Sequence, residues 1–379
     1  MKETEKERQM IREATIKTAQ KLVQPKAAEI DESGRFPQDL VDAFGKQGFL
    51  SLLLPEEYGG TQGDISTFCL VIEEIAKVSG SASLWILAQG VGTWPIFTAG
   101  DPSQQERYFT QISEKNSLTA LTLSGQLRNS PMAGIPTTAP KKGGDYLLTG
   151  CNTFVTHGSV ADLYSVFAMT DTPRGEQGIS AFVVEKGTAG LRFGKSEEKM
   201  GMRGVETTDV IFENCRVPAK SRLREEGDGW EIAGKALELE GVAVGALAVG
   251  IAQGALDYAI HYAGERMQFG RSITSFQAIQ FMISDRAAEI EAARALVHRA
   301  MVRLDDPSGK RDRLPAMAKC FASDVAMRVT TDAVQILGGY GYMKDYPIER
   351  MMRDAKVTQI YGGANQSQKL FITEELMKG

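Results

Sequence analysis

The stretch AGERMQFG at residues 263–270 lies between two long helical patterns and decides the fold of the C-terminal part of the chain. Three such patterns are present, at residues 230–267, 274–304 and 314–337. The last one stops at Gly338-Gly339, and glycine readily adopts the left-handed conformation that ends many helices. Long, alanine-rich helices with short connections are typical of a bundle, so the sequence predicts a helical bundle domain over residues 223–379.

The residues that precede the bundle have the character of strands. Four short runs bounded by Gly, Asp or Asn carry this signal: residues 146–150, 163–169, 179–184 and 209–212. No helical pattern lies between them, which predicts an antiparallel barrel or sandwich over residues 119–222. Residues 1–118 are helical again, with apolar positions at three- and four-residue spacing. The predicted fold class is therefore α+β, with a helical domain, a β-barrel domain and a helical bundle in that order.

Composition and motif content exclude several classes of protein. A net charge of −5 argues against a general nucleic-acid binder, because neutralising phosphates requires clustered Lys and Arg. The four cysteines form no Cys-x-x-Cys pair and the three histidines lack the helical spacing of a metal pair. We therefore expect no metal site and a reducing compartment. No strand–Gly-x-Gly-x-x-Gly–helix unit is present, which argues against a nicotinamide-binding Rossmann domain.

The first residues give no targeting signal. Residues 1–10 are dense in charge and lack an apolar core, which is typical of neither a signal peptide nor a transit peptide. No apolar run approaches the roughly 18 residues that a membrane span needs. We therefore expect a cytoplasmic protein without a transmembrane segment.

Several segments resemble those of acyl-CoA dehydrogenases in order and spacing. AGERMQFG at 263–270 and FQAIQ at 276–280 are similar to the family's Arg-x-x-Phe-Gly…Gln segment. DAVQILGGYGY at 332–342 is similar to a second family segment, and residues 346–361 follow in the family's order. The resemblance covers nearly the whole chain. It implies a helical domain, a β-barrel domain and a four-helix bundle, FAD as the cofactor, and a homotetramer, with a dimer as the alternative.

The resemblance assigns residues of the bundle to FAD. It implies that Arg266, Phe269 and Gln277 grip the adenine and pyrophosphate end of the cofactor. It also implies that Gln335 and Gly339 reach the FAD of the neighbouring subunit. An arginine presents a rigid fork to phosphate oxygens, and a glycine lets the backbone approach a ligand closely. Without the resemblance, Phe269 is as readily a core residue and Gln277 an ordinary helix residue.

Further contacts with FAD follow from the resemblance outside these segments. Phe154-Val155-Thr156 matches an aromatic-x-Thr strand of the family, in which the aromatic ring shields one face of the flavin. The Thr156 hydroxyl then forms a hydrogen bond near the flavin N5. Gln366 is assigned to the cofactor as well. Taken alone, Phe154 would be a core residue and Thr156 a strand residue at the surface.

One loop departs from the family pattern. Where relatives have Thr-Glu-Pro-x-Ala-Gly-Ser-Asp, this chain has SGQLRNSP. Ser124 can still donate a hydrogen bond to the flavin pyrimidine, and Ser130 can still meet a phosphate on the substrate side. Arg128 is a candidate for binding an acidic group of the substrate or of CoA, with a solvated arginine as the alternative.

The chemistry implied by the resemblance needs a base and a hydrogen bond to the thioester carbonyl. A carboxylate removes the α-proton while the β-hydride passes to flavin N5, and negative charge develops on the carbonyl oxygen. Most relatives place this glutamate directly after Ile-Tyr, but here the residues are Ile360-Tyr361-Gly362. Gly362 keeps an N–H that can bind the carbonyl, but it has no side chain that can take a proton.

A minority of relatives, including isovaleryl-CoA and long-chain acyl-CoA dehydrogenases, carry the glutamate on the first long helix of the bundle. The matching position in this chain is Glu240, 26 residues before Arg266. Gly241 stands where these relatives have Arg, and Glu238, roughly 200° away around the helix, is a second candidate near CoA. The run at 242–252 is almost wholly apolar and predicts a buried Glu240, with an exposed helix turn as the alternative.

Three functions are consistent with the sequence. The first is an FAD-dependent acyl-CoA dehydrogenase that passes electrons to an electron-transfer flavoprotein. The helix-borne glutamate of the resemblance implies a branched, cyclic or otherwise bulky acyl group for it. The second is a redox-neutral, desulfinase-like family member, which a surface-exposed Glu240 would favour. The third is a non-catalytic homologue that binds flavin or acyl-CoA. The sequence does not identify the acyl group or the direction of the reaction. It also does not decide whether the thioester is formed with CoA or with a carrier protein.

Overall fold

The computed structural model of the chain describes residues 5–123, 135–304 and 313–378. The first of these ranges is helical almost throughout, as predicted. Within it, six α-helices are present: α1 (Glu5–Thr18), α2 (Ala27–Ser33), α3 (Gln38–Lys46), α4 (Ile65–Ala76), α5 (Gly80–Ala99) and α6 (Pro102–Lys115). Helix α5 contains no charged residue and is buried along nearly its whole length, so it forms the centre of the N-terminal core.

Local sequence sets where these helices begin. The Asp64 carboxylate accepts a hydrogen bond from the Thr67 N–H and so caps α4, and Ser79 caps α5 in the same way. Helix α6 begins with a reciprocal capping box. The Asp101 carboxylate accepts from the Gln104 N–H at 2.9 Å, and the Gln104 amide oxygen accepts from the Asp101 N–H at 3.0 Å. Such caps satisfy the free N–H groups of a first turn.

Two sheets form the middle of the molecule. Among the described residues, their strands are β1 (Thr119–Thr122), β2 (Lys141–Lys142), β3 (Asp145–Thr156), β4 (Leu163–Met169), β5 (Ile179–Glu185), β6 (Leu191–Phe193), β7 (Thr207–Val217) and β8 (Arg222–Leu223). The sheet orders are β1-β4-β5-β8 and β2-β3-β7-β6. Neighbouring strands are antiparallel, as predicted, except β1 and β4, which are parallel. This difference arises because β1 enters from α6 and reaches β4 through a crossover rather than a hairpin.

The C-terminal part is a bundle of helices, as the resemblance implied. Its described elements are α7 (Gly229–Glu265), β9 (Met267–Gln268), β10 (Arg271–Ser272), α8 (Gln277–Leu304), α9 (Leu314–Leu337), α10 (Ile348–Val357) and α11 (Asn365–Met377). Helix α9 has the predicted bounds. Helix α8 begins at Gln277 rather than at 274, because Ile273–Ser275 form a tighter turn in which the Ser272 side chain accepts from the Thr274 N–H.

Helix α7 is the core helix of the whole molecule. It packs against α4, α5, α8, α9 and the sheet strands β4 and β5. Its small residues permit this packing: a Cβ at Gly254 would lie 2.0 Å from the carbonyl oxygen of Lys77 at the end of α4. An 18-residue window of α7 is apolar enough to cross a membrane, which is an exception to the expectation from sequence, but 94% of that window is buried inside the protein. Burial in the core accounts for its apolar composition.

Candidate active site

Glu240 lies on α7 in the interior of the molecule. Only 7% of its surface is exposed, so the prediction of a buried carboxylate is confirmed. Glu238, two residues earlier, is half-buried and leaves the helix in a different direction, since each residue turns the helix by about 100°. Gly241 packs against the start of α9, where a Cβ would lie 3.4 Å from the Pro315 carbonyl oxygen. A carboxylate in such surroundings requires hydrogen-bonding partners.

Gly362 lies in the loop between α10 and α11, against the Glu240 side chain. A Cβ built on Gly362 would lie 3.3 Å from Glu240 Cγ, 3.4 Å from Glu240 Cδ and 3.3 Å from Val244 Cγ2. The Gly362 backbone has φ +66°, a conformation that glycine adopts without strain. A longer side chain at this position would need the space that Glu240 fills. The two positions at which family members place the base therefore converge on one point.

Buried polar side chains fix the loop that carries Gly362. The Gln368 Nε2 on α11 donates to the Gly362 carbonyl oxygen at 2.7 Å. The Lys319 Nζ on α9 donates to the Gly363 carbonyl oxygen at 2.7 Å and to Asn365 Oδ1 at 2.8 Å. Gln368 and Lys319 are both fully buried, so water does not compete for these bonds. The backbone at Gly362 is therefore held in one conformation before any ligand binds.

Tyr361 lies directly before Gly362 in the same loop, and its phenol interacts electrostatically with Glu240. Burial raises the pKa of the phenol above its ordinary value, and the adjacent Glu240 carboxylate raises it further. The phenol is therefore protonated at neutral pH. Sequence reasoning assigned Tyr361 no role, although its position directly before Gly362 was a signal that pointed to it.

Phe154 faces outward beside Thr156 because the end of β3 is irregular. The pairing of β3 with β7 shifts register between Asn152 and Val155. Phe154, within this shift, has φ +55°, and 69% of its surface is exposed. Irregularities of this kind turn a side chain out of the regular alternation of a strand. The exposed ring and the Thr156 hydroxyl thus lie two residues apart at the end of β3.

A cavity of about 740 Å³ lies at the C-terminal end of α7, between that end, the β9–β10 hairpin and the end of α9. Arg266, Phe269 and Gly339 line it. Phe269 is 91% exposed and is not a core residue, and the Arg266 guanidinium lies 5.4 Å from the centroid of the Tyr340 ring. A further residue of the lining, Gly338, has open space where a Cβ would lie. The cavity therefore offers a cation, an aromatic ring and accessible backbone to a ligand.

The remaining predicted site residues lie elsewhere. Gln277 and Gln335 are exposed and do not line the cavity. Gln366 is exposed on the first turn of α11. Three predicted residues lie outside the described part of the chain: Ser124, Arg128 and Ser130.

Three family models match the chain in the order of its sequence. The acyl-CoA dehydrogenase N-terminal domain matches residues 5–116, the middle domain residues 120–215, and the C-terminal domain residues 227–377. The chain belongs to the acyl-CoA dehydrogenase family. This acyl-CoA dehydrogenase is accordingly an oxidoreductase that acts on CH–CH groups.

Similar proteins match this acyl-CoA dehydrogenase over its whole length. It is 45% identical over 378 residues to cyclohex-1-ene-1-carbonyl-CoA dehydrogenase of Syntrophus aciditrophicus (strain SB), covering 100% of this chain and 91% of that protein. The structure of butyryl-CoA dehydrogenase from Megasphaera elsdenii is 38% identical, with a TM-score of 0.93. The match covers 100% of this chain and 99% of that chain. A chain solved for the electron transferring flavoprotein of Acidaminococcus fermentans, in work on flavin-based electron bifurcation, is 44% identical. Its TM-score is 0.93 and coverage is 100% of both chains.

The cofactor of acyl-CoA dehydrogenases is FAD, and a family member from Bacillus anthracis has been solved in complex with it. The residues of this chain fit that cofactor. Phe154 presents an exposed ring for the flavin face, and Thr156 a hydroxyl beside it. Arg266 and Phe269 line the cavity with a guanidinium and an aromatic ring, groups that would suit phosphates and an adenine ring. At Gly339 no atom lies within 4 Å of where a Cβ would be, so a ligand can approach the backbone.

Proposed function

We propose that this enzyme dehydrogenates an acyl-CoA thioester between Cα and Cβ, with Glu240 as the base that removes the α-proton. The observation that carries the proposal is the contact between the Glu240 side chain and Gly362. The α-proton passes to the carboxylate, the β-hydrogen leaves with its electron pair, and a Cα=Cβ double bond forms. FAD, when bound, supplies the hydride acceptor. The Gly362 N–H donates a hydrogen bond to the thioester carbonyl oxygen, where negative charge develops.

The surroundings of Glu240 support this role over the redox-neutral alternative. A carboxylate taken out of water is costly unless it is hydrogen-bonded and has a function. Glu240 is buried, whereas a surface-exposed glutamate would have favoured a redox-neutral enzyme. Gly362 contributes no competing carboxylate, and Val244 supplies an apolar wall one turn further along α7. A buried base beside an apolar wall suits the α-carbon of an acyl chain.

We propose a cyclic or otherwise bulky acyl group for the substrate. The similar protein from Syntrophus aciditrophicus is named for a cyclic acyl-CoA. The base reaches the site from helix α7, and the loop side carries only a glycine at 362. This helix-borne base is the arrangement that the resemblance associates with branched, cyclic or otherwise bulky acyl groups.

We propose that the electrons pass from the reduced flavin to an electron-transfer flavoprotein. Similarity over the full chain to a protein solved in work on an electron transferring flavoprotein supports this partner. A flavin partner also matches the chemistry, since a two-electron reduced flavin must be reoxidised before the next turnover.

The length of α7 supports an FAD site that two subunits share. Arg266 follows Glu240 by 26 residues along one continuous helix, a separation of about 39 Å at 1.5 Å per residue. An extended FAD is shorter than this, so a flavin beside Glu240 does not reach the cavity of its own chain. We propose that Arg266, Phe269 and Gly339 together hold the adenine end of an FAD whose flavin lies in another subunit. From sequence, Arg266 and Phe269 were expected to bind one FAD and Gly339 that of the neighbouring subunit, whereas here all three bind the same FAD. This arrangement requires a dimer or tetramer.

Anaerobic reduction of the flavin tests the proposed reaction. The loss of visible flavin absorbance is followed in stopped flow with straight-chain, branched and alicyclic acyl-CoAs. We expect bulky acyl groups to reduce the flavin fastest and Glu240→Gln to slow reduction by about 100-fold or more, the typical contribution of a general base.

The matched control is Glu74→Gln, because Glu74 is a buried carboxylate on a different helix that forms ion pairs with Lys77 and Arg12. The flavin of Glu74→Gln is expected to be reduced at the wild-type rate. A Glu240→Gln enzyme that is reduced as fast as wild type contradicts the assignment of the base. A flavin that no acyl-CoA reduces contradicts dehydrogenation itself.

A further inference from the structure

The loop at residues 358–364, between α10 and α11, contains two consecutive glycines in the left-handed conformation. Gly362 has φ +66° and Gly363 has φ +85°. Glycine has the greatest backbone freedom of any residue, so this pair alone would leave the direction of the Gly362 N–H poorly defined. The polar groups that bind the loop therefore decide where that N–H points.

Both glycines have their carbonyl groups bound by fully buried side chains from neighbouring helices. Gln368 Nε2 donates to the Gly362 carbonyl oxygen, and Lys319 Nζ donates to the Gly363 carbonyl oxygen, each at 2.7 Å. Rotating either peptide group would break a hydrogen bond that is shielded from water, and such bonds are costly to lose. The two bonds therefore restrict the two most flexible residues of the loop.

Asn365 connects the Lys319 ammonium to a carboxylate at the other end of the loop. Asn365 Oδ1 accepts from Lys319 Nζ at 2.8 Å, and Asn365 Nδ2 donates to Asp324 Oδ1 at 2.9 Å. An ammonium can only donate and an ionised carboxylate can only accept, so the amide has one orientation. Asp324 also accepts from Gln359 Nε2 at 2.6 Å. Helix α9, which carries Lys319 and Asp324, is thus bound to both ends of the loop.

We propose that Lys319 is a positioning residue for the thioester carbonyl: it fixes the backbone of Gly362 and Gly363 so that the Gly362 N–H is aimed at the carbonyl oxygen before substrate binds. Asn365 and Gln368 complete this group, which we call the Lys319 clamp. The inference rests on the proposed function, since that function assigns the Gly362 N–H to the carbonyl. Lys319 itself touches neither the substrate nor the flavin in the proposed reaction.

A buried lysine suits this task because an apolar residue could not perform it. Taking an ammonium out of water is costly unless its donors are used, so a lysine with no exposed surface is rarely kept for packing alone. An apolar side chain of similar length would fill the same space and leave the two glycines free to rotate. A donor that is already in place costs no reorganisation when negative charge develops on the carbonyl oxygen.

The direct test is the infrared absorption of the thioester carbonyl in the bound product. The probe is the enoyl-CoA formed from the acyl-CoA that reduces wild type fastest, with and without a heavy-isotope label at its carbonyl carbon. The difference spectrum isolates the carbonyl stretching band. In wild type this band should lie below that of the free thioester, because a hydrogen bond weakens the C=O bond. In Lys319→Met it should move back toward the free position and broaden.

Stopped-flow reduction of the flavin gives the second readout. Removing an oxyanion donor outright slows an enzyme by about 100- to 1000-fold. A misdirected donor should cost less, so we expect Lys319→Met to slow reduction at saturating acyl-CoA by about 10- to 100-fold. The dissociation constant of the acyl-CoA should change far less, because the charge that the donor stabilises develops only in the transition state. Such a split would not arise from a general loss of stability.

Gln368→Met supplies an independent variant, because it removes the bond to the other glycine carbonyl and keeps the size of the side chain. It should move the band and slow reduction in the same way, and it keeps the test informative where Lys319→Met does not fold. The matched control is Gln104→Met. Gln104 is a buried glutamine whose Nε2 donates to the Lys220 and Arg222 carbonyl oxygens, both at 2.8 Å. It should lose stability and keep the wild-type band and rate.

The failures of the clamp and of the proposed function give different results. A shifted wild-type band that is unmoved in Lys319→Met, or in Gln368→Met where Lys319→Met does not fold, overturns the role of the Lys319 clamp. A wild-type band at the position of the free thioester overturns instead the hydrogen bond from Gly362. A flavin that no acyl-CoA reduces overturns the proposed reaction.

Discussion

Replacing Gly362 with alanine perturbs the contact on which the site depends. The new Cβ would lie 3.3 Å from Glu240 Cγ and from Val244 Cγ2, so a neighbour must give way by a few tenths of an ångström. Val244 is fully buried in the core along α7 and has little room to move. We therefore expect the Glu240 side chain to be displaced from its place against Gly362.

Two magnitudes follow from this geometry. The Gly362 backbone has φ +66°, and this left-handed conformation costs a residue with a Cβ about 1–2 kcal/mol, so the free energy of unfolding should fall by about that amount. A misplacement of about 1 Å costs on the order of 100-fold in rate. A displacement of a few tenths of an ångström should therefore slow flavin reduction by about 3- to 10-fold.

Gly187→Ala separates the two effects. Gly187 has φ +86°, and no atom lies within 4 Å of where its Cβ would be, so alanine there brings the same strain without the contact. Unfolding in denaturant measures stability, and stopped-flow absorbance measures flavin reduction. Both variants should lose similar stability, and only Gly362→Ala should be slowed. A Gly362→Ala enzyme reduced at the wild-type rate, or an equal slowing by Gly187→Ala, would refute the reasoning.

Two further predictions concern the shared cofactor and acid stability. Arg266→Gln should weaken both FAD binding and subunit assembly, because the cavity of one subunit is proposed to hold the cofactor of another. Flavin content and molecular mass, measured by size exclusion with light scattering, check this prediction. An unchanged FAD content would contradict it. Burial lowers the pKa of His157 to about 4, below the value of about 6.5 expected in the unfolded chain. The unfolded state therefore binds more protons in this window, and the free energy of unfolding should fall by about 3 kcal/mol as pH falls from about 6.5 to 4. His157→Asn should lack this part of the dependence in denaturant titrations, and an unchanged dependence would contradict it.

The domain order and the long helices could be predicted because their signals are local. Apolar periodicity and alanine content extend over many turns, and glycines end α9 at the predicted residue. The parallel pairing of β1 with β4 could not be predicted from such signals. Strand direction there depends on how α6 delivers β1 to the sheet, which is a tertiary property.

The candidate site could be predicted where spacing along one element was sufficient. Glu240 and Gly362 were found by position within two motifs, and their contact is visible only in the folded chain. The outward-facing Phe154 depends on a register shift that the strand pattern does not reveal. Gln277, expected with Arg266, and Gln335, expected at the FAD of the neighbouring subunit, do not line the cavity, and their roles stay predictions.

Lys319 and Gln368 show why part of the site was missed. Both are fully buried, and they hold the loop that carries Gly362 through its carbonyl oxygens. Only the folded chain brings α9 and α11 to this loop.

The most direct test of the central claim is the rate of flavin reduction in Glu240→Gln with acyl-CoA that carries hydrogen or deuterium at the α-carbon. In wild type, deuterium at this position should slow reduction, because removal of the α-proton contributes to the rate. Glu240→Gln should be reduced about 100-fold or more slowly with either substrate, since it lacks the base. Reduction of Glu240→Gln at the wild-type rate with an unchanged isotope effect would contradict the account.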